Sequence, residues 1–374
     1  GALAKLSFDQ YQVLEPVQWG SERFFAAGNF FTPNRRAKIV PVSVQPTGYQ
    51  PSSDYPFVLN TGRLRDQWHT MSRTGLTARL TRHTSEPYAE LHPDDAAQLA
   101  VESGDILKVT SVWGSAFARV LVNEGQQRGM VFMPIHWNGV NSANSRIGAV
   151  VNPVVDPISG QPESKFTPVA LSKAEFAQYG FILSAEALPL LTQTDYAVNV
   201  RLANGWRQEF AVSTALDVTA LGLAEASSDP ATLEYHDPAQ GIQRLAWLGQ
   251  SSTQDQLSRV VMVAHSANRL PPRGWLDERL GQSVDALTRR SLLSGVAADP
   301  AADIGEIVCS CFVVGKNTIC RAIAEQQLTS VAAVGQCLKA GTNCGSCQSE
   351  IAKLIAQVAP KADPVSLAQT ALGE

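Results

Sequence analysis

Cysteine is missing from the first 308 residues of this 374-residue chain, and all six cysteines fall between Cys309 and Cys347. A disulfide framework spreads its cysteines through a secreted fold, so that class is excluded and a reducing compartment, the cytoplasm, is expected. A surplus of one charge is missing too. The 30 Lys and Arg stand against 34 Asp and Glu, a formal net charge of -4, which gives no electrostatic footprint for nucleic acid. No apolar run approaches the ~18 residues of a membrane helix, and the opening GALAKLSFDQYQ has no basic-then-apolar signal pattern. Nucleic acid and membrane are therefore not expected as partners. The first residue is Gly1 rather than Met, from which we expect the chain to start inside a longer protein. What is present suits a folded chain. Hydrophobic residues make up 44% and charged residues 17%, enough for a sizeable core, and at ~150 residues per domain the length allows two to three domains.

Residues 1–50 read as a connecting region, in which Ser21–Val42 alternates aromatic pairs with turn residues and suits a hairpin followed by an exit strand. Residues 51–173 read as β-rich. Strands are expected at Tyr55–Asn60, Tyr88–Leu91, Ile106–Trp113, Ala116–Asn123 and Met130–Ile135, with a last strand after Lys165. Pro93, followed by Asp94 and Asp95, marks a helix start. Short strands at this spacing predict a barrel or sandwich. Residues 174–300 are less legible. Trp206, Trp247 and Trp275 supply core mass, helices are expected at Pro271–Leu280 and Leu287–Leu293, and Gly295–Gly305 has the composition of a flexible tether. Residues 301–374 form a compact α-rich tail. Helical spacing of apolar residues predicts helices over Asn317–Glu325, Ser330–Lys339 and Gln348–Val358.

Chemistry concentrates in that tail. Cys309 and Cys311 form a C-x-C pair, and Cys344 and Cys347 a C-x-x-C pair. Four thiolates from two tight loops can hold a [2Fe–2S] cluster or zinc. The second loop, AGTNCGSC, offers many free backbone N–H groups and runs into a helix N-terminus, which favours a net-negative cluster. A redox dithiol at Cys344 and Cys347 is a further alternative, but it leaves Cys309 and Cys311 without a role. Cys320 and Cys337 sit at helical positions and read as small buried hydrophobes. The two motifs IVCSCFVVGKNTI and LKAGTNCGSCQSEI together resemble the bacterioferritin-associated-ferredoxin-like [2Fe–2S] module.

Three loops of the β-rich region look like a polar ligand site: Thr61–Thr70, Pro134–Arg146 and Pro162–Leu171. They combine Arg and Lys for phosphates, Asn amides, and Trp faces for a ring. Taken singly, His69 and His136 are more often satisfied structural histidines, and Trp68 and Trp137 more often core residues; the three loops together favour binding. The stretches VLNTGRLRDQWHT, AELHPDDAAQLAVESGDILKV and GMVFMPIHW, with P-x-x-K at Pro162–Lys165, resemble the molybdopterin-dinucleotide-binding domain of the dimethyl sulfoxide reductase family. That resemblance implies a multi-domain chain: a double-psi β-barrel plus the small α-rich [2Fe–2S] domain. It implies that Thr61, Gly62 and Arg63 line the dinucleotide. Trp68, His69 and Thr70 would follow the pterin–phosphate stretch, with His136, Trp137, Asn144 and Lys165 completing the clamp on one or both (bis-MGD) pterins.

Within that family, WHTMSRTG (Trp68–Gly75) is most similar to the assimilatory nitrate reductases, as are YGFILS, NGWRQEFA, GWLDERL and RRSLLSG in the extension. The implied function is the C-terminal part of a molybdenum-dependent enzyme that reduces nitrate to nitrite, with molybdopterin guanine dinucleotide and a [2Fe–2S] electron relay. Family members also carry a [4Fe–4S] cluster and a cysteine ligand to molybdenum, and no cysteine here precedes Cys309. The resemblance therefore implies that a preceding catalytic region of the same protein supplies both, that residues 1–50 connect to it, and that no catalytic residue lies in this chain, which alone is inactive on nitrate. The implied electron donor is an NADH-linked flavoprotein, or a ferredoxin or flavodoxin. Formate dehydrogenase or another molybdopterin oxidoreductase, and a non-catalytic iron–sulfur scaffold or sensor, are the alternatives. Met71 and Arg73 are open as to whether they face the substrate.

Overall fold

The computed structural model describes all residues except 1, 18–24, 42, 216–232, 251–254, 298, 300–302 and 359–374, and the side chains of residues 2 and 250. The chain divides into two compact units, Gly1–Thr47 and Gly48–Glu374. The first holds a short 3-10 turn at Ala2–Lys5 and helix α1 (Phe8–Gln12), started by a capping box in which Ser7 and Gln10 satisfy each other's backbone N–H groups. Of the hairpin expected over Ser21–Val42, residues 21–24 and 42 lie outside the described residues. Residues 25–41 form turns and bends with no strand, as their Gly, Asn and Pro content permits.

In the second unit six strands close into a barrel: β1 (Phe57–Gly62), β2 (Tyr88–Leu91), β3 (Ile106–Thr110), β4 (Ser115–Val122), β5 (Met130–Pro134) and, after the two-residue strand β6 (Ser142–Ala143), β7 (Thr167–Ala174). The order round the barrel is β1-β5-β2-β4-β3-β7, with β1–β5 and β2–β4 parallel and the other pairs antiparallel. This is the closed six-stranded barrel that the resemblance implied. Between β1 and β2 lies a helical turn, α2 (Ala78–Thr81). Between β2 and β3, Pro93 opens α3 (Pro93–Gln98), where its missing N–H costs nothing. Strict alternation fills the barrel: Ala116, Ala118 and Val120 of β4 are buried among Leu59, Leu91, Leu107 and Val131.

The residues between them on β4, Phe117 and Arg119, point out of the barrel onto a second sheet. That sheet runs β11-β12-β13-β8-β10-β9-β6, antiparallel throughout. Its strands are β8 (Gln178–Ser184), β9 (Tyr196–Leu202), β10 (Gly205–Val212), β11 (Leu233–Asp237), β12 (Ile242–Gln250) and β13 (Asp255–Ala264). Helices α4 (Gly274–Arg279) and α5 (Ala286–Ser291) follow, and Trp275, Leu276 and Leu292 pack with Phe181, Leu183 and Tyr196 on the face toward the barrel. The tail is a short hairpin, β14 (Ile307–Cys309) and β15 (Val314–Gly315), then α6 (Lys316–Gln326), α7 (Val331–Leu338) and α8 (Gln348–Val358) around Ile319, Ile323, Val334, Ile351 and Leu354.

A buried ionic network ties barrel, sheet and α4 together. Glu209 on β10 is fully buried and receives a two-pronged bond from Arg273, at 3.0 and 2.7 Å. Arg207 lies 3.0 Å away and Arg119 of the barrel 3.8 Å. Burial by itself would raise the Glu209 carboxyl, but the charges of Arg273 and Arg207 win and hold it down at about 2. Arg207 also bonds Asp277 of α4, and Arg119 and the Tyr196 hydroxyl both reach Glu86, at 2.9 and 2.7 Å. Removing one partner of such a set leaves the others charged and dry. We expect Glu209→Gln to cost ~3–5 kcal/mol of folding free energy, read as a lower denaturation midpoint; a change under about 0.5 kcal/mol would show that the network contributes nothing net.

Candidate functional site

The site grows from the end of β1. Parallel pairing sets Thr61 beside Met133 and Gly62 beside Pro134, so the chain leaving β1 runs next to the chain leaving β5. Gly62 makes room there: a Cβ would stand 2.7 Å from the Phe132 ring and would have to push it aside. The next residues on the β5 side then pin the Thr61–Thr70 loop. His136 is fully buried. Its Nε2 accepts from the Leu64 N–H at 2.8 Å, which places the ring proton on Nδ1, and Nδ1 donates to the His69 carbonyl at 2.6 Å. Burial pushes the His136 pKa down, the nearby Arg63 charge adds to that, and the His69 carbonyl only partly offsets it. A neutral imidazole thus staples both ends of the Leu64–His69 segment. Asn138 continues the seam by donating to the Thr70 carbonyl at 2.9 Å. His69 and Met71 are held at positive φ, 44° and 60°.

A third loop closes the same end of the barrel. The buried Thr61 hydroxyl donates to the Ser164 carbonyl at 2.7 Å, and Lys165 Nζ donates to the Thr61 carbonyl. Asn152 braces this loop by donating to the carbonyls of Glu163, at 3.1 Å, and Phe166, at 2.7 Å. What remains outward is a ridge of cation and aromatic side chains. Arg63 lies 5.4 Å from the Trp68 ring centroid, Trp68 is 55% exposed, and the Trp68 and His69 rings meet edge to face at 4.4 Å. Lys165 uses one of three N–H donors on Thr61, which leaves two.

The candidate residues thus divide. Thr61, Gly62, Arg63, Trp68, His69, Thr70, His136 and Lys165 gather at one end of the barrel, and the outward groups among them are Arg63, Trp68, His69, Thr70 and Lys165. His136 has both ring nitrogens committed to the protein, and Trp137, 3% exposed, lies in the core with Met71. Both act beneath the surface, as supports. Met71 is buried and does not face outward, whereas Arg73 is exposed. Asn144 spends its amide on the carbonyls of Asp195 and Thr194, at 3.0 and 3.5 Å, tying the end of β6 to the lead-in of β9 within the second sheet rather than to the Thr61–Thr70 loop. Sequence reasoning passed over Asn138, Arg65 and Asp66. Nothing but their position inside the quoted loops marked them.

The four paired cysteines lie in the tail as two pairs, and among the described residues no three or more His, Cys, Asp or Glu side chains gather closely enough to hold a metal ion. Cys311 Sγ and Cys344 Sγ are 3.4 Å apart, while Cys309 and Cys347 are buried in the tail's core. Positive φ at Gly341 and Gly345, 83° and 76°, lets the second loop turn tightly into α8. The Cys347 carbonyl already accepts from the Ile351 N–H, so Cys347 sits at that helix's start. The Cys344 thiolate is favoured by hydrogen bonds from the Ser346 hydroxyl and N–H and from Cys311. Burial, and then the Cys309 charge, push Cys347 up to about 11. Four thiols in two such pairs offer the ligand set of a [2Fe–2S] cluster, whose iron charge would replace the protons of all four. Cys320 is half-buried against the same core. Cys337, expected to be buried, is exposed and bonds Gln326 Oε1 at 3.4 Å, because it falls on the outer face of α7.

Barrel loop and cysteine loops touch. Arg65 Nη2 donates to the Val308 carbonyl at 2.5 Å and Nη1 to the Ser346 carbonyl at 3.4 Å. Arg65 also pairs with Asp66 and Glu350, at 3.1 and 3.2 Å. His83 bridges the same two carboxylates at 3.1 and 3.3 Å. Burial would lower the His83 pKa, but its bonds to Asp66 and Glu350 raise it above its ordinary value.

Both regions have counterparts among known proteins. Residues 57–168 match the molydopterin dinucleotide binding domain family, and residues 307–357 the BFD-like [2Fe-2S] binding domain family. A nitrate reductase of Klebsiella oxytoca is 35% identical over 376 residues, covering 95% of this chain and 40% of that protein. A nitrate reductase of Shewanella frigidimarina is 31% identical over 209 residues, 48% of this chain and 22% of that protein. The alpha subunit of an F420-dependent formate dehydrogenase of Methanocaldococcus jannaschii is 35% identical over 144 residues, 38% of this chain and 21% of that protein. The chain spans less than half the length of these relatives. It carries a molybdopterin-dinucleotide-binding barrel and a [2Fe–2S] domain. Purified without oxygen, it is expected to be brown, with one cluster lost in Cys344→Ser and kept in Cys320→Ser and Cys337→Ser. Iron and acid-labile sulfide analysis checks this, and stoichiometric zinc without sulfide would overturn it.

Proposed function

We propose that the chain is the C-terminal part of a molybdenum-dependent assimilatory nitrate reductase. The observation that carries this reading is collinearity: the match to the Klebsiella oxytoca nitrate reductase runs through barrel, second sheet and [2Fe–2S] domain together, over 95% of the chain. The formate dehydrogenase match covers only 38%. The reaction takes nitrate, two electrons and two protons to nitrite and water, and the bound molybdenum pterin supplies its oxygen-atom chemistry. In this reading the chain's own residues bind and position. Arg63 and Lys165 meet the phosphates of a guanine dinucleotide, Trp68 and His69 pack along it, and Thr61, Gly62, His136 and Trp137 hold the surrounding loops, with Asn144 securing the lead-in of β9 behind them. Cys309, Cys311, Cys344 and Cys347 hold the cluster that receives electrons from an NADH-linked flavoprotein or a ferredoxin or flavodoxin. The [4Fe–4S] cluster and molybdenum ligand belong, in this reading, to the portion of such an enzyme that the chain does not span. No helix among the described residues is long and apolar enough to cross a membrane.

Charge-assisted hydrogen bonds to phosphate contribute about 1.5–3 kcal/mol each. Arg63→Ala with Lys165→Ala in the full-length protein should therefore lower its molybdenum and pterin content together. Arg63→Ala alone is the cleaner arm, since Lys165 also bonds Thr61. Unchanged metal and pterin in both would count against the assignment. A second expectation concerns the chain by itself. Given dithionite, it should show a reduced-cluster paramagnetic resonance signal and form no nitrite from nitrate; nitrite at the full-length enzyme's rate would refute the division of labour.

A further inference from the structure

One guanidinium touches both cysteine loops. Val308, whose carbonyl accepts from Arg65 at 2.5 Å, directly precedes Cys309, and Ser346, whose carbonyl accepts at 3.4 Å, directly precedes Cys347. Arg65 stands two residues beyond Arg63, in the loop that His136 staples. Around it the polar seam is continuous. Asp66 pairs with Arg65 and accepts from the Ser310 hydroxyl at 3.3 Å, between Cys309 and Cys311. Glu350, in the first turn of α8, pairs with Arg65 at 3.2 Å, and His83 spans Asp66 and Glu350. The side chains of Arg65, Asp66 and His83 are between 13% and 21% exposed and that of Glu350 37%, so this is a partly dried contact in which charges are screened less than on open surface. A lysine could not reproduce it. Only the planar fork of arginine can address a carboxylate and two separate carbonyls from fixed directions.

We propose that Arg65 is a positioning residue that latches the [2Fe–2S] domain onto the dinucleotide loop and raises the reduction potential of the cluster. The proposal rests on the cluster assignment to the four cysteines and is independent of whether nitrate is the substrate. The latch fixes the register between Cys309–Cys311 and the loop bearing Arg63, and so the separation between the two cofactor sites. Tuning follows from charge. Reduction adds one electron, hence one more negative charge, to an already anionic cluster. A cation held against the carbonyls beside two of its ligands favours that added charge. Without Arg65, Asp66 and Glu350 face the cluster uncompensated on that side except by His83.

The test compares the wild-type chain with Arg65→Ala, Arg65→Lys and Glu350→Gln, each loaded with cluster. Iron and sulfide content are measured first, which separates loss of the latch from failure of the cluster assignment. Redox titration followed by paramagnetic resonance then gives the reduced-to-oxidised ratio at the wild-type midpoint. Arg65→Ala is expected to lower that ratio about tenfold, equivalent to about 59 mV for a one-electron couple. Arg65→Lys should lower it less, and Glu350→Gln should raise it. Hydrogen exchange over residues 306–315 and 341–350 should quicken in Arg65→Ala and Arg65→Lys alike, because both lose the fork. Should Arg65→Ala fail to hold a cluster, Arg65→Lys and Glu350→Gln carry the test, since their shifts have opposite signs. Equal potentials and equal exchange protection in every cluster-loaded variant would overturn the proposal.

Discussion

Everything at the candidate site hangs from one buried imidazole. His136 is the only group joined by hydrogen bonds to both Leu64 and His69 among the described residues, and it can do this in a single protonation state. A charged His136 would present two donors, and the Leu64 N–H would lose its acceptor in a dry place, a cost of about 1–3 kcal/mol. Burial keeps the ring neutral, and neutrality keeps the loop closed. The loop so fixed has two working sides. Arg63 lies over Trp68 on the outward ridge, and Arg65 bonds the cysteine loops. Residues two apart in an extended stretch share a side, but the chain leaves β1 after Gly62 and turns at Arg65 and Asp66, so Arg63 and Arg65 reach different partners.

Beneath the loop, the barrel and the second sheet are joined by two different means. Phe117, Phe181 and Tyr196 supply apolar burial, which is strong but has no direction. The Glu209 set supplies direction, because Arg273, Arg207 and Arg119 come from the α4 lead-in, the second sheet and the barrel. An ion cluster of this kind adds little net stability over a packed apolar one, but it penalises any other arrangement of the three pieces.

Much of this was legible in the sequence, for reasons that differ by region. The barrel strands alternate, as in Ser115–Val122, and turn residues bound them, so period and punctuation agreed. The tail helices showed their apolar stripes, and the paired cysteines advertised their site. The second sheet stayed hidden because strands such as Gln178–Ser184 and Asp255–Ala264 are buried over successive residues and lack alternation. Site residues were legible by type but not by depth. Loop composition put His136 and Trp137 beside Trp68 and His69, and only the fold shows which pair is buried. Arg65 was invisible for another reason: its partners are carbonyls of residues more than two hundred positions away, and a carbonyl leaves no mark on sequence.

The unequal depth of the four cysteines has a consequence for how the site ages. Cys309 and Cys347 are sealed in an apolar core, and Cys347 is held protonated, so oxidants meet neither readily. Cys344 is exposed, its thiolate is favoured, and the Cys311 sulfur lies 3.4 Å away. In a chain awaiting its cluster, air therefore strikes the outer pair first, and a sulfenate formed on Cys344 has a resolving thiol already in reach. The resulting bridge would join Cys311 to Cys344, and added thiol reductant would reopen it, while the buried inner pair is shielded from the same attack.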